Sequence, residues 1–66
     1  MGGTVTAWDD AAGHGEVTGE DGTAYYLHCT QIADGTRTIA LGAAVTFTTR
    51  PKLGRWEATE VALRRS

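Results

Sequence analysis

Polar and apolar residues alternate along most of this chain with a period of two, and glycines cut the alternating runs at short intervals. Period two marks a strand with one face against a core. Residues 4–8 therefore predict a first strand, with Val5 and Ala7 inward and Thr4, Thr6 and Trp8 outward. A turn is expected over residues 9–13. Residues 14–18 predict a second strand, in which His14, Glu16 and Thr18 share a face and Val17 points to the core. Gly19-Glu20-Asp21-Gly22 predicts a hairpin turn, because an Asp-Gly pair supplies the positive φ such turns want. Residues 24–29 continue the pattern, with Tyr25, Leu27 and Cys29 inward and Tyr26 and His28 outward.

The connection over residues 30–43 is long for a compact domain and is broken by Asp34-Gly35 and Gly42, which predicts a short helical turn around Ile32 or Ile39. Residues 44–49 predict a strand that buries Val45 and Phe47, ended by residues 51–54. The last segment, residues 55–65, is ambiguous by local rules: it contains good helix formers and no Gly or Pro. Topology decides for a strand. Four strands leave an open edge, and a fifth that uses Val61 and Leu63 closes the sheet into a barrel. The fold class is all-β, in keeping with eleven threonines and nine glycines.

Sixty-six residues allow one small domain, expected to span residues 1–66. Val, Ile, Leu and Phe are scarce, yet the net charge of −2 is far from that of a chain held open by repulsion. A single cysteine, Cys29, excludes an internal disulfide, a zinc knuckle and a Cys-x-x-Cys redox pair. With no signal-like start and no membrane-spanning apolar run, a cytoplasmic location is expected and no membrane partner. Charge is unevenly spread. Residues 1–36 carry six acids and no Lys or Arg, whereas residues 37–66 carry six bases against two acids. A polyanion would favour the second half; solvated surface charge is the plain alternative.

With the strands placed, the sequence resembles the bacterial cold-shock proteins over nearly its whole length. Gly3-Thr4-Val5 is similar to the family opening that precedes its Lys-Trp-Phe. Gly13-His14-Gly15-Glu16-Val17-Thr18 falls where the family has Gly-Phe-Gly-Phe-Ile, and Tyr25-Tyr26-Leu27-His28-Cys29 where it has Val-Phe-Val-His-Phe. Arg37-Thr38-Ile39, Val45-Thr46-Phe47 and the span from Ala58 to Val61 resemble its later motifs. The resemblance implies a five-stranded antiparallel Greek-key β-barrel (OB-fold, cold-shock-domain type). It also implies binding of single-stranded RNA or DNA, with rings on strands two and three stacking bases while Lys and Arg follow the phosphates.

Carried over residue by residue, Tyr26 stands at a stacking Phe, His28 at the family His, and Trp8 at the Phe of Lys-Trp-Phe. His14 and Glu16 replace the two Phe of the second-strand motif. Ala7, Cys29 and Thr36 replace further rings, and Ala12 replaces a Lys. Losing two productive rings weakens binding by about 2–6 kcal/mol, and Glu16 adds a negative charge to the stacking face.

The candidate nucleic-acid-binding residues are Trp8, His14, Tyr26, His28 and Trp56 for bases and Arg37, Lys52 and Arg55 for phosphates. Each has a plainer alternative. Trp8 and Tyr26 can pack over the barrel rim, His28 can hydrogen-bond to a neighbour, His14 can be an inert loop-edge residue, Trp56 can fold under the barrel, and the cations can be solvated. His28-Cys29 is a poor nucleophile–base pair, because neighbours on a strand point to opposite faces. Nothing in the spacing of His14, Glu16 and His28 demands a metal, no phosphate loop leads from a strand into a helix, and no cofactor is expected. The sequence is read as a non-enzyme that binds single-stranded nucleic acid with weakened affinity. The alternative is a degenerate barrel turned to protein interaction or self-association. Monomer and weak dimer both stay open.

Overall fold

The computed structural model describes residues 1–64; Arg65, the end of the last predicted segment, and Ser66 lie outside the described residues. Five strands form one sheet: β1 (Gly2–Asp9), β2 (His14–Gly19), β3 (Ala24–His28), β4 (Ala44–Lys52) and β5 (Arg55–Leu63). Their order is β1-β2-β3-β5-β4, and β4 pairs back onto β1 to close the ring. β1, β2 and β3 are successive neighbours and β4 returns beside β1, which is Greek-key order. The expectation of a wholly antiparallel sheet needs correction, because β3 and β5 run parallel where Tyr26 meets Glu57. The reason is arithmetic: strands that alternate in direction around a closed ring of five must leave one like-directed pair.

Helix propensity over β5 yields to this closure. β5 gains antiparallel partners along β4 and a parallel contact with β3, satisfying backbone groups that an open edge would leave bare. The long connection carries a single 3-10 turn, Cys29–Gln31, just before Ile32, and both Ile32 and Ile39 are buried. The core joins them to Val5, Val17, Tyr25, Leu27, Val45, Phe47, Ala58 and Val61. No helix among the described residues is long and apolar enough to cross a membrane.

Two bulges break the period of two. On β1, Val5 faces Val17 but Ala7 faces Glu16, so Thr6 is an extra residue. One added residue exchanges the faces beyond it. Ala7, expected inward, is exposed, and Trp8, expected outward, packs against the core. Gly15 makes the bulge possible, since a Cβ there would collide with the Ala7 carbonyl oxygen. On β5, Thr59 faces Thr48 and Ala62 faces Thr46, leaving Glu60 and Val61 opposite Phe47. Glu60 takes the left-handed conformation, φ 52°. This keeps Val61 fully buried, whereas Leu63, expected in the core, reaches past the barrel end and is 61% exposed.

Candidate functional site

β2 and β3 pair so that Glu16 lies directly opposite Tyr26 and His14 opposite His28. Directly opposed residues share a face, and here it is the outer one, because Val17, Tyr25 and Leu27 fill the inner one. Tyr26 is half-buried and lies beside both imidazoles. Its ring centroid is 5.8 Å from that of His14, tilted by 34°, and 6.5 Å from that of His28, tilted by 39°. The Arg55 guanidinium carbon stands 4.8 Å from the Tyr26 centroid, within reach of a cation–π contact.

His28 ends β3 and caps the 3-10 turn. The Thr30 N–H donates to His28 Nδ1 at 3.2 Å, and the Thr30 hydroxyl lies 2.9 Å from the same nitrogen. Accepting at Nδ1 puts a ring proton on Nε2, a donor left for a base edge or phosphate. The turn also corrects the expectation that His28 and Cys29 point apart: alternation stops at His28, and Cys29 Sγ lies 3.9 Å from His28 Nδ1. The thiol is nevertheless buried and Nδ1 is occupied by Thr30, so the pair is not arranged as nucleophile and base.

The cations on this face come from the β4–β5 hairpin. Its two-residue loop, Leu53-Gly54, sets Lys52 opposite Arg55 and Arg50 opposite Glu57. Glu57 is buried, 1% exposed, beside Tyr26. Arg50 donates to Glu57 Oε1 at 2.6 Å, while Lys52 Nζ stands 3.5 Å from Oε2, which makes no hydrogen bond. The Arg50 hydrogen bond, with the nearby charges of Lys52 and Arg50, holds the Glu57 carboxyl below its ordinary range against the cost of burial. Arg50 is absent from the sequence-derived candidates. Counting back from the Leu-Gly turn would have found it opposite Glu57.

The other candidates lie elsewhere. Trp8 is at the inward register position opposite Gly15, and its Nε1 donates to Asp10 Oδ1 at 2.6 Å. It lines a cleft at the barrel end rather than joining Tyr26. Arg37 is exposed between Thr36 and Thr38, whose hydroxyls donate to Asp34 and Asp10 respectively. Trp56 is 52% exposed opposite Pro51 near the hairpin tip. Thus His14, Tyr26, His28, Lys52 and Arg55 are brought to one surface, whereas Trp8 and Arg37 are not brought to it.

That surface offers one phenol beside two imidazoles, three cations and the carboxylate of Glu16, with Glu57 buried beneath it, which suits recognition of a flat, anionic ligand better than bond-making chemistry. The family profile for the 'Cold-shock' DNA-binding domain matches residues 1–64 of the chain. No curated protein matches it at a significant level.

Proposed function

The chain belongs to the 'cold-shock' DNA-binding domain family, and from that premise we propose that it binds single-stranded RNA or DNA, without catalysis, through the outer face of β2 and β3. The observation that carries this reading is the grouping of Tyr26 with the opposed pair His14 and His28, with Arg55 over the Tyr26 ring. A base lies against Tyr26 and the imidazoles edge its neighbours. Arg55 and Lys52 meet the phosphates, and Trp56 extends the surface toward the hairpin tip. Trp8 and Arg37 are assigned no base or phosphate on this face.

Affinity is low for two physical reasons. One full aromatic ring occupies the β2–β3 face, and stacking on it contributes about 1–3 kcal/mol per base. The cations are also partly spent, since Glu57 engages Arg50 and Lys52 and Glu16 repels phosphate. The reading includes a single cold-shock-like domain and a cytoplasmic location, supported by the lone free thiol of Cys29.

Backbone amide shifts recorded while a short pyrimidine-rich strand is titrated in at low salt test it. Saturable changes should centre on His14, Glu16, Tyr26, His28 and Arg55. Changes confined to other surfaces, or none, reject this assignment.

A further inference from the structure

At the end of the barrel remote from the β4–β5 hairpin lies an open cleft of about 1060 Å³, walled by Trp8, Ile39, Leu41 and Leu63. Leu41 and Leu63 are 69% and 61% exposed. Two carboxylates rim it, Asp10 and Asp34, against one guanidinium, Arg64. Hydrogen bonds from Thr38 and Trp8 to Asp10, and from Thr36 to Asp34, keep both acids charged below the ordinary carboxylate range. The cleft is thus an apolar trough with an acidic edge, and nothing in the proposed nucleic-acid face uses it.

The opposite end of the molecule carries its complement. Leu53 at the hairpin tip is 97% exposed and holds φ 46°, a conformation that Asn or Gly adopts at lower cost than a leucine. A bulky apolar side chain kept in solvent on a strained backbone is doubly unfavourable for the isolated chain, which points to a contact elsewhere. Half-exposed Trp56 lies close by, and Lys52 and Arg55 flank the tip. The tip is apolar with a basic edge.

We infer that the Leu53 hairpin tip of one copy docks into the Trp8–Leu41–Leu63 cleft of a second copy of this chain. Size, apolar character and charge match: an exposed leucine and indole enter the trough while Lys52 and Arg55 meet Asp10 and Asp34. The tip cannot serve its own cleft. The two sit at opposite ends of β5, whose nine residues span roughly 27 Å, nearly the full 28 Å length of the molecule. The contact is head-to-tail, so it leaves a free tip and a free cleft and grows with concentration.

Sedimentation equilibrium over about 0.1–1 mM, the range for a small and transient interface, tests the inference with two variants. Wild type should rise above monomer mass with concentration, and less so at high salt. Leu53→Asn, which suits the left-handed turn, should stay monomeric while melting about 4 °C higher, so its failure to associate is not a failure to fold. Leu41→Asn, on the cleft side, should also stay monomeric. Mixed together, the two variants should form a dimer and nothing larger, because one retains the cleft and the other the tip. Monomeric wild type throughout, unimpaired association of Leu53→Asn, or singly monomeric variants that do not complement each other would overturn it.

Discussion

The guanidinium carbon of Arg55 lies 4.8 Å from the centroid of the Tyr26 ring, so the one full aromatic ring on the outer β2–β3 face is already attended by a cation. A base stacked on Tyr26 meets the guanidinium at the same time. The phosphate next to that base then meets a charge positioned before the strand arrives.

Arg55→Ala should therefore weaken oligonucleotide binding by about tenfold and reduce the dependence of log K on log salt by about 0.7, the single-strand value for one lost phosphate contact. Arg55→Lys should keep the salt slope and lose part of the affinity, since an ammonium cannot lie flat on the ring. Titrations at several salt concentrations read both.

Glu16 opposite Tyr26 places an acceptor beside any base held on that ring. A carboxylate accepts from the exocyclic amino group of cytosine or adenine and repels the carbonyl edge of uracil or thymine. Strands of C or A should bind more tightly than strands of U or T. Glu16→Gln, which both donates and accepts, should narrow that difference and raise affinity overall. Glu16→Phe should raise affinity by about fivefold or more by adding a stacking surface. Competition between labelled homopolymers measures each change.

Glu57→Gln should move stability and binding in opposite directions. The charged hydrogen bond from Arg50 to a buried carboxylate contributes on the order of 1–2 kcal/mol after allowance for the half-exposed cations. Losing it should lower the melting temperature by several degrees. The same change frees Arg50 and Lys52 for phosphate, so affinity should rise and its salt dependence steepen. Thermal melts and oligonucleotide titrations on one preparation check both signs.

Acid should destabilise the fold by protonating carboxylates that are hydrogen-bonded in the folded chain. Hydrogen bonds hold Asp10, Asp21 and Asp34 below the ordinary Asp range, and Arg50 does so for Glu57. Each then binds protons less readily folded than unfolded, so its contribution is complete above the ordinary carboxylate range and is lost as pH falls through the depressed values. Tyr25 behaves oppositely. Its hydroxyl donates to Asp21 at 2.7 Å, which raises its pKa, so that contribution is present below the ordinary phenol range and is lost as pH rises through the raised value. Melting temperature against pH should fall at both ends, and Asp21→Asn should flatten part of each limb.

Much of this fold can be read from residue order, because Gly and Asp-Gly turns separate runs whose alternation is strict. Tyr25 and Leu27 inside with Tyr26 outside follow from period two alone. Trp8 departs from period two for a reason that pattern cannot contain: the bulge at Thr6 adds one residue, and only the fit of Gly15 against the Ala7 carbonyl hints at it. Leu63 departs for another reason: it is the last residue of β5, at the end of the barrel, where little remains to cover it. The Arg50–Glu57 pair escapes a turn placed over residues 51–54, because β4 runs on to Lys52 and the loop is Leu53-Gly54 alone. The parallel β3–β5 contact is a property of the closed ring and of no local stretch.

Whether the β2–β3 face holds a single strand is read by fluorescence anisotropy of a labelled pyrimidine oligonucleotide at low salt, titrated with wild type, Tyr26→Ala and Trp8→Phe. Wild type should give a saturating rise, Tyr26→Ala should weaken it by about tenfold, and Trp8→Phe should leave it nearly unchanged. A strand that ignores the loss of Tyr26, or fails to bind wild type at all, contradicts the assignment of the β2–β3 face.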